Sequence, residues 1–576
     1  IFIILALYFI RILRTKKHIS LFIISLLLLM GFSSRAQFYS GSNLQFGKNR
    51  VQHDKERFWS HYRYSRFDTY FYKGGKELAI YTAQVADKEF AAMEKKLDYY
   101  ISGKVQFIVF TTLKDLKSSN IGLITDENFN VGGITHISGN KIILYFDGSH
   151  KNLELQIRYG IAQILINQML YGEQITANVK NAALINLPEW FVPGLVSYLA
   201  DDWNTTIDNQ IKDGILSGRY EKISLLNPEE AIVVGHSIWR FIDKTYGKEA
   251  IPNIIYMTKI SRGYSNGFLF VLGASYDNLI DAWLYYYKNS YLEEETLFQS
   301  FDTEEAISGK TKLKNNRICS QISLSPRNNY IAYVTDEFNK KKVWLYDLNK
   351  QKAKKIFRRG HKLDDKQDFS YPLLAWHPNG KILSLINEEK GGIWLRHYDV
   401  AEKKMNKQEL FNFEKILHFS YSPDGTKLLF SAVQKGQSDI FIYFIASKTY
   451  EQITKDIYDD CYPRFINKDK IVFSSNRISD TIVFDIATHK KDYSSLSEKM
   501  DFYDLFVYNY KSKSPFLQRV NNTTKSDDIQ AMSFDEKHIA YLSDENGIFN
   551  INLAYFDSAI SYVDTITHYR YFANTI

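Results

Sequence analysis

FSYSPDGTKLLFSA, starting at Phe419, reads as a strand, a tight turn and a second strand. The same shape returns as ISLSPRNNYIAYVT from Ile322, LAWHPNGKILSLI from Leu374, PRFINKDKIVFSS from Pro463 and AMSFDEKHIAYLS from Ala531. In four of the five a third strand follows, often ending in Asp: KKVWLYDL from Lys341, GIWLRHYDV from Gly392, DIFIYFIA from Asp439 and TIVFDIA from Thr481. Pro326, Pro378 and Pro423 stand 52 and 45 residues apart, and Asn467 follows after 44. That period is the length of one four-stranded propeller blade. Proline presets φ at the first central position of the turn, and Asn-Gly or Asp-Gly supplies the left-handed backbone before the next strand. Turn geometry therefore accounts for the Asp and Asn residues here, without metal or catalysis.

Residues 322 to 551 carry this repeat, and the segments SPDGTKLLFSA and VFSSNR (Val472 to Arg477) resemble the TolB-like or WD-repeat-like β-propeller family. Five blades are visible. Closed rings need about four to eight. The chain does not begin with Met and stops soon after the fifth blade. The expectation is a piece of a longer protein with a further blade, set against a small or open ring. Just upstream, residues 301–318 are charged and poor in large apolar side chains, and read as a linker.

Ahead of the linker, residues 37–300 mix strands and helices. Glu77 to Gln84 alternates as a strand, and Asp87 to Ile101 has Phe90, Met93, Leu97 and Tyr100 at helical spacing. Lys104 to Thr112 is a strong strand, and Leu113 to Ser119 a short helix. Val131 to Ile137 and Lys141 to Phe146 read as a hairpin around Ser138-Gly139-Asn140. LELQIRYGIAQILINQML, Leu153 to Leu170, places Leu155, Ala162, Leu165, Ile166 and Met169 on one helical face, with Asn152 able to cap it. LPEWFVPGLVSYLA, Leu187 to Ala200, opens with Pro188, a good first-turn residue. Further helices are expected over Thr205 to Ser217, Pro228 to Tyr246, Glu249 to Ser261 and Ser275 to Tyr287.

The last two motifs together resemble the active-site helices of the peptidase MA-like (gluzincin) family. That family writes its first helix as a run such as RHELAH and its second as P-x-W-x-x-E-G-x-x-x-Y. Pro188, Trp190, Gly194 and Tyr198 match the second frame, and GHSIWRFIDKTYG (Gly235 to Gly247) resembles the downstream helix. A zinc of this kind needs two imidazoles four residues apart, a neighbouring glutamate as general base, and a carboxylate from the next helix. By the resemblance those positions are Tyr159, Gly160, Gln163 and Pro193. A phenol ionises near pH 10, an amide oxygen is a poor zinc ligand, and neither glycine nor proline offers a side-chain ligand or base. The resemblance thus implies an inactive α+β zincin-like metallopeptidase fold, followed by an all-β propeller. No cofactor and no metal are expected. His136, His150 and His236 read as structural. The resemblance also implies that Lys141, Ile142, Ile143, Leu144, Tyr145 and Phe146 form an edge strand able to take extended peptide by strand addition.

Composition adds limits. The chain has 576 residues, 45% apolar and 24% charged, with 15% aromatics, which favours a β-rich portion. Of the net charge of +7, residues 1–36 supply five positive charges and no acid, so the remainder carries +2 and gives no case for nucleic acid. Those residues look like a signal peptide: Arg14, Lys16 and Lys17, an apolar run from Ile19 to Met30, and Ser34-Arg35-Ala36 before Gln37. The rival is an uncleaved membrane anchor. Cys319 and Cys461 make no disulfide framework; a single bridge between them stays open. The combined expectation is an exported, periplasmic or surface, non-catalytic scaffold that binds other envelope proteins or peptides. The alternatives are a zinc peptidase with unconventional ligands and a propeller-associated hydrolase whose catalytic domain lies further on.

Overall fold

The computed structural model describes residues 58–117, 119, 136–138, 140–172, 185–294, 318–362, 368–482, 500–523, 525–535, 537–556 and 563–565. The signal-like residues 1–36, the linker up to residue 317 and residues 131–135 of the expected hairpin fall outside them. Lys55–Leu116 and Asn128–Ile576 form one compact unit, which holds both the mixed region and the propeller.

The mixed region begins with β1 (Ser60–Arg63), β2 (Phe67–Phe71), α1 (Lys76–Leu97), β3 (Val105–Phe110) and α2 (Leu113–Lys117). After these come β4 (His136–Ser138), β5 (Lys141–Tyr145), α3 (His150–Tyr171) and α4 (Phe191–Ala200). The sheet order is β1-β2-β3-β5-β4. β2, β3 and β5 run parallel, and β1 and β4 are antiparallel to their neighbours. Such a sheet is covered by helices, and Val105, Phe107, Val109, Ile142 and Leu144 are fully buried in the core that α1 and α3 share.

Five readings of the sequence are corrected here. Glu77 to Gln84 is not a strand; it is the first half of α1. Its apparent alternation also fits helical spacing through Leu78, Tyr81, Thr82 and Val85, all buried, and interleaved alanines favour helix. Tyr100 lies past the left-handed C-cap Asp98 and is 78% exposed, not inward. α3 starts earlier than expected: Ser149 is the cap, and its Oγ accepts from Asn152 N at 3.3 Å. Pro188 precedes α4 in a turn whose carbonyl accepts from Phe191 N at 3.0 Å. Finally, Lys141, Ile142 and Ile143 are paired on both sides, to β3 and to β4, so Lys141–Phe146 is not an edge; β4 is the edge.

The helices that follow are α5 (Thr205–Leu216), α6 (Pro228–Tyr246), α7 (Ala250–Ser261), α8 (Tyr264–Leu272) and α9 (Tyr276–Glu294). The sequence reading missed α8, a short helix that follows the left-handed Arg262 and is anchored by fully buried Phe268. α6 begins with a full capping box between Asn227 and Glu230. α4 and α6 cross with their backbones touching. A Cβ on Gly194 would sit 2.4 Å from Gly235 Cα, and one on Gly235 would sit 2.4 Å from the Trp190 carbonyl oxygen. Only glycine at both positions permits that approach.

Five four-stranded antiparallel sheets follow. Blade one is β6 (Ile318–Leu324), β7 (Tyr330–Glu337), β8 (Lys340–Asp347) and β9 (Lys352–Arg359). Blade two is β10 (Leu373–Trp376), β11 (Ile382–Glu389), β12 (Gly392–Asp399) and β13 (Met405–Leu410). Blade three is β14 (Lys415–Tyr421), β15 (Lys427–Gln434), β16 (Gln437–Phe444) and β17 (Thr449–Gln452). Blade four is β18 (Asp460–Phe465), β19 (Lys470–Ser475), β20 (Asp504–Asn509) and β21 (Gln518–Arg519). Blade five is β22 (Asp528–Ser533), β23 (His538–Ser543), β24 (Asn550–Tyr555) and β25 (Val563–Thr565). Each sheet is a simple meander, so the protein contains a β-propeller of five blades. The turns behave as their residues require: Asn328, Gly380 and Gly425 take positive φ. One strand is reassigned. The third strand of blade four is Asp504–Asn509, paired along Lys470–Ser475, and not the run from Thr481.

Blades stack through apolar faces. Val334 and Leu345 of blade one meet Trp376, Leu383 and Leu385 of blade two. Equivalent clusters join blades two to three, three to four and four to five. The inner strands β6, β14, β18 and β22 each carry a register shift, and Gln321, Tyr462 and Gln530 there adopt positive φ. Bulges of this kind re-aim side chains toward the propeller axis.

Candidate functional site

The expected metal positions sit on α3 and α4, and each has a structural occupation. Tyr159 is 3% exposed and hydrogen-bonds Ser197 of α4, whose Oγ lies 3.0 Å from His236 Nδ1 of α6. Burial raises the Tyr159 phenol well above its usual range. Burial, then Arg240 and Lys96, pushes His236 down to about 3, so the imidazole stays neutral. Gly160 faces β5: a Cβ there would meet Ile142 Cγ2 at 2.5 Å. A glutamate has no room at that point unless the sheet or Ile142 moves. Gln163 Nε2 donates to Asn167 Oδ1 at 2.9 Å along its own helix. Pro193 stands in the first turn of α4, where its missing N–H costs nothing.

The donor set does not fit zinc. A phenol locked in a hydrogen-bond chain, an amide, a glycine and a proline supply no imidazole, thiolate or carboxylate. The matching frame has packing explanations. Trp190 is buried with Nε1 3.3 Å from Tyr276 Oη, and Trp239 Nε1 donates to the Phe191 carbonyl at 3.0 Å. Gly194 allows the helix crossing described above. His136 lies on β4. Among the described residues, the one grouping of three acids close enough for a cation is Asp439, Asp456 and Asp460, all buried. Arg477 fills it. Its Nη2 reaches Asp460 at 2.7 and 2.9 Å, and its Nη1 is 3.2 Å from Asp456. The guanidinium supplies the positive charge, and burial beside two acids raises Asp439 well above the carboxylate range. This cluster ties blade three to blade four.

Sequence reading did not find the second feature. The first turn of α3 inserts into the mouth of the propeller. His150 Nδ1 lies 2.6 Å from Asp459 Oδ1, and His150 N donates to Asp459 Oδ2 at 2.8 Å. Lys151 Nζ is 3.3 Å from Asp527, and Lys415 Nζ donates to the Asp147 carbonyl at 3.1 Å. Gly148 leaves space filled by Leu417 and Val433, and Val433 of blade three belongs to the core of the mixed region. Thr205 donates to Asp544 at 2.7 Å and Asn209 to the Gly547 carbonyl at 2.7 Å. The acids concerned, Asp459 and Asp527, stand just before the inner strands of blades four and five. Their signal in sequence was their place ahead of each repeat, which local pattern alone cannot tell from a turn.

Between the α3 tip and the inner strands lies a cavity of about 490 Å³, bordered by Lys415, His418, Cys461, Tyr462, Tyr503 and Asp527 among others. His418 packs on Tyr462 with centroids 3.9 Å apart and the rings tilted by 37°, and burial holds its imidazole down to about 3. Cys461 and Cys319 are both free thiols, so no bridge joins them. Burial, then Asp459 and Asp460, pushes the Cys461 thiol well above its ordinary value. His418 and Cys461 therefore border the cavity as an uncharged imidazole and a protonated thiol.

No family model and no curated protein matches the chain. Among solved structures, TolB from Acinetobacter baumannii is similar at 13% identity and a TM-score of 0.33; the match covers 45% of this chain and 57% of that one. Puromycin hydrolase is similar at 9% identity, TM-score 0.33, covering 45% of this chain and 39% of that one. The β-propeller domain of the Trilobed protease from Pyrococcus furiosus is similar at 11% identity, TM-score 0.28, covering 44% and 85%. The chain therefore spans little more than half the length of the TolB chain it matches. The propeller assignment rests on the five sheets themselves. No helix among the described residues is long and apolar enough to cross a membrane.

Proposed function

We propose that this protein is an exported, non-catalytic scaffold of the cell envelope. On this reading it joins a metallopeptidase-like domain that has lost its chemistry to a TolB-like propeller, and it binds other proteins or peptides. One observation carries the reading. Where the resembled peptidases place ligands and a base, Tyr159, Ser197 and His236 form a closed, buried hydrogen-bond chain, and Gly160 is pressed against Ile142. The basic and apolar run ahead of Gln37 supports export. The docked propeller supports a rigid display of surfaces over a moving catalytic cleft, since the α3 tip is held by buried hydrogen bonds between His150 and Asp459.

The test is peptide hydrolysis by the full chain on a mixed peptide library, read by mass spectrometry with and without added zinc. No chelator-sensitive cleavage is expected. Cleavage that a chelator abolishes would establish a zinc peptidase with unconventional ligands instead.

A further inference from the structure

Among the described residues, the outermost strand of blade one carries a run of charge of a single sign. β9 reads KAKKIFRR and is an edge of its sheet. Lys352, Lys354, Lys355 and Arg358 are exposed along it. With Lys340 of the neighbouring β8, they have no carboxylate partner among the described residues, while Lys342, Lys350, Arg359 and Lys362 nearby are all paired. Like charge gathers here: Arg358 first, then desolvation, then Lys342 and Lys362, hold Lys340 below the usual lysine range. Elsewhere the outer strands are shorter and mixed. β13 has six residues with Lys407 and Glu409, β17 has four with Glu451, and β21 has two.

An edge strand presents backbone N–H and C=O groups on its free side. β9 is eight residues long, about 26 Å at strand rise. Its backbone makes no hydrogen bond outside its pairing with β8 among the described residues. Lysines on such an edge repel a second copy of the same strand, so self-pairing is excluded by like charge. They attract the opposite sign. A lipid surface or a nucleic acid would use the charges alone and leave the backbone groups to water. An extended acidic peptide satisfies both.

We infer that β9 is a docking edge for an extended acidic segment of a partner protein, which adds to blade one as a fifth strand with its acids against Lys352, Lys354, Lys355 and Arg358. This rests on the reading of the protein as a protein-binding scaffold and names the chemistry of one partner.

The probe is a fluorescent octapeptide of alternating Glu and Val, followed by anisotropy with the full chain at low and high salt. The expected result is binding that weakens with salt, a loss of about tenfold or more in the variant K354E/K355E/R358E, and an equal loss when alternate peptide nitrogens are methylated. The three residues are exposed, so the variant keeps the parent melting temperature; should it unfold, the charge-neutral K354Q/K355Q/R358Q takes its place. Absence of binding, unchanged binding in the variant, or equal binding of the methylated peptide each overturns the inference; the last would leave a general anion surface. A metal-free protein that fails this assay loses the β9 edge and keeps the scaffold reading.

Discussion

Replacing Asp459 with alanine tests whether the mixed region and the propeller fold as one body. Its carboxylate accepts from His150 N at 2.8 Å, lies 2.6 Å from His150 Nδ1, and takes Ser438 Oγ at 3.2 Å and Asn476 Nδ2 at 3.5 Å. Asp459→Ala strands those donors in a buried place, where each orphaned group costs about 1–3 kcal/mol. Two such donors on His150 alone put the loss at about 2–6 kcal/mol in all. We expect Asp459→Ala to fall in that range by urea unfolding, and to lower the melting temperature by several degrees. His150→Ala removes the same contacts from the other side and also the ring packing on Tyr81 and Phe146, with centroids at 4.6 and 4.9 Å. The double variant then costs less than the sum of the two, by about 1–3 kcal/mol. Proteolysis should release the two parts separately in the variants and not in the parent. Strict additivity, or a loss below about 1 kcal/mol for Asp459→Ala, would refute the idea that this pair locks the α3 tip into the propeller.

Two further outcomes follow from the packing and the charges. Gly160→Glu, which rewrites part of the expected metal motif, destabilises by about 3 kcal/mol or more, because its Cβ meets Ile142 at 2.5 Å and its carboxylate enters a closed core; Ile142→Ala relieves part of the loss in a thermal melt. Asp528 is pushed up to about 7, first by burial. Its folded carboxyl holds a proton more tightly than the unfolded one, so its stabilisation is complete below about pH 4 and is lost as pH rises through about 7. Asp528→Asn should therefore gain on the parent by on the order of 3 kcal/mol at pH 8 and show little gain at pH 4, measured by denaturant unfolding at both values.

The propeller was legible because its repeat writes one physical rule five times. A strand, a proline or Asx turn and a return strand reappear at blade length, and only the third strand of blade four was misplaced. There the run from Thr481 looks like a strand by composition, whereas pairing to β19 goes to Asp504–Asn509. In the mixed region, α3, α4 and the strand at Val105–Phe110 followed from period and apolar runs. α1 was half misread, since ELAIYTAQ satisfies period two and helical spacing alike, and only the sheet it covers decides between them. The interior place of β5 was not legible, because edge or centre is a property of pairing order and not of the strand. For the site, sequence named Tyr159, Gly160, Gln163 and Pro193 as lacking metal chemistry, but not what they do instead. Ser197 and His236 join Tyr159 across three helices, a contact no local pattern carries. The Asp459–His150 pair spans 309 positions and was invisible for the same reason.

The central claim is that α3 and α4 hold no catalytic metal. The measurement is zinc content of the purified full chain by elemental mass spectrometry, after zinc loading and dialysis. The account predicts zinc near zero per chain, unchanged by Tyr159→Phe. One zinc per chain, lost with Tyr159→Phe or His236→Ala, would contradict it.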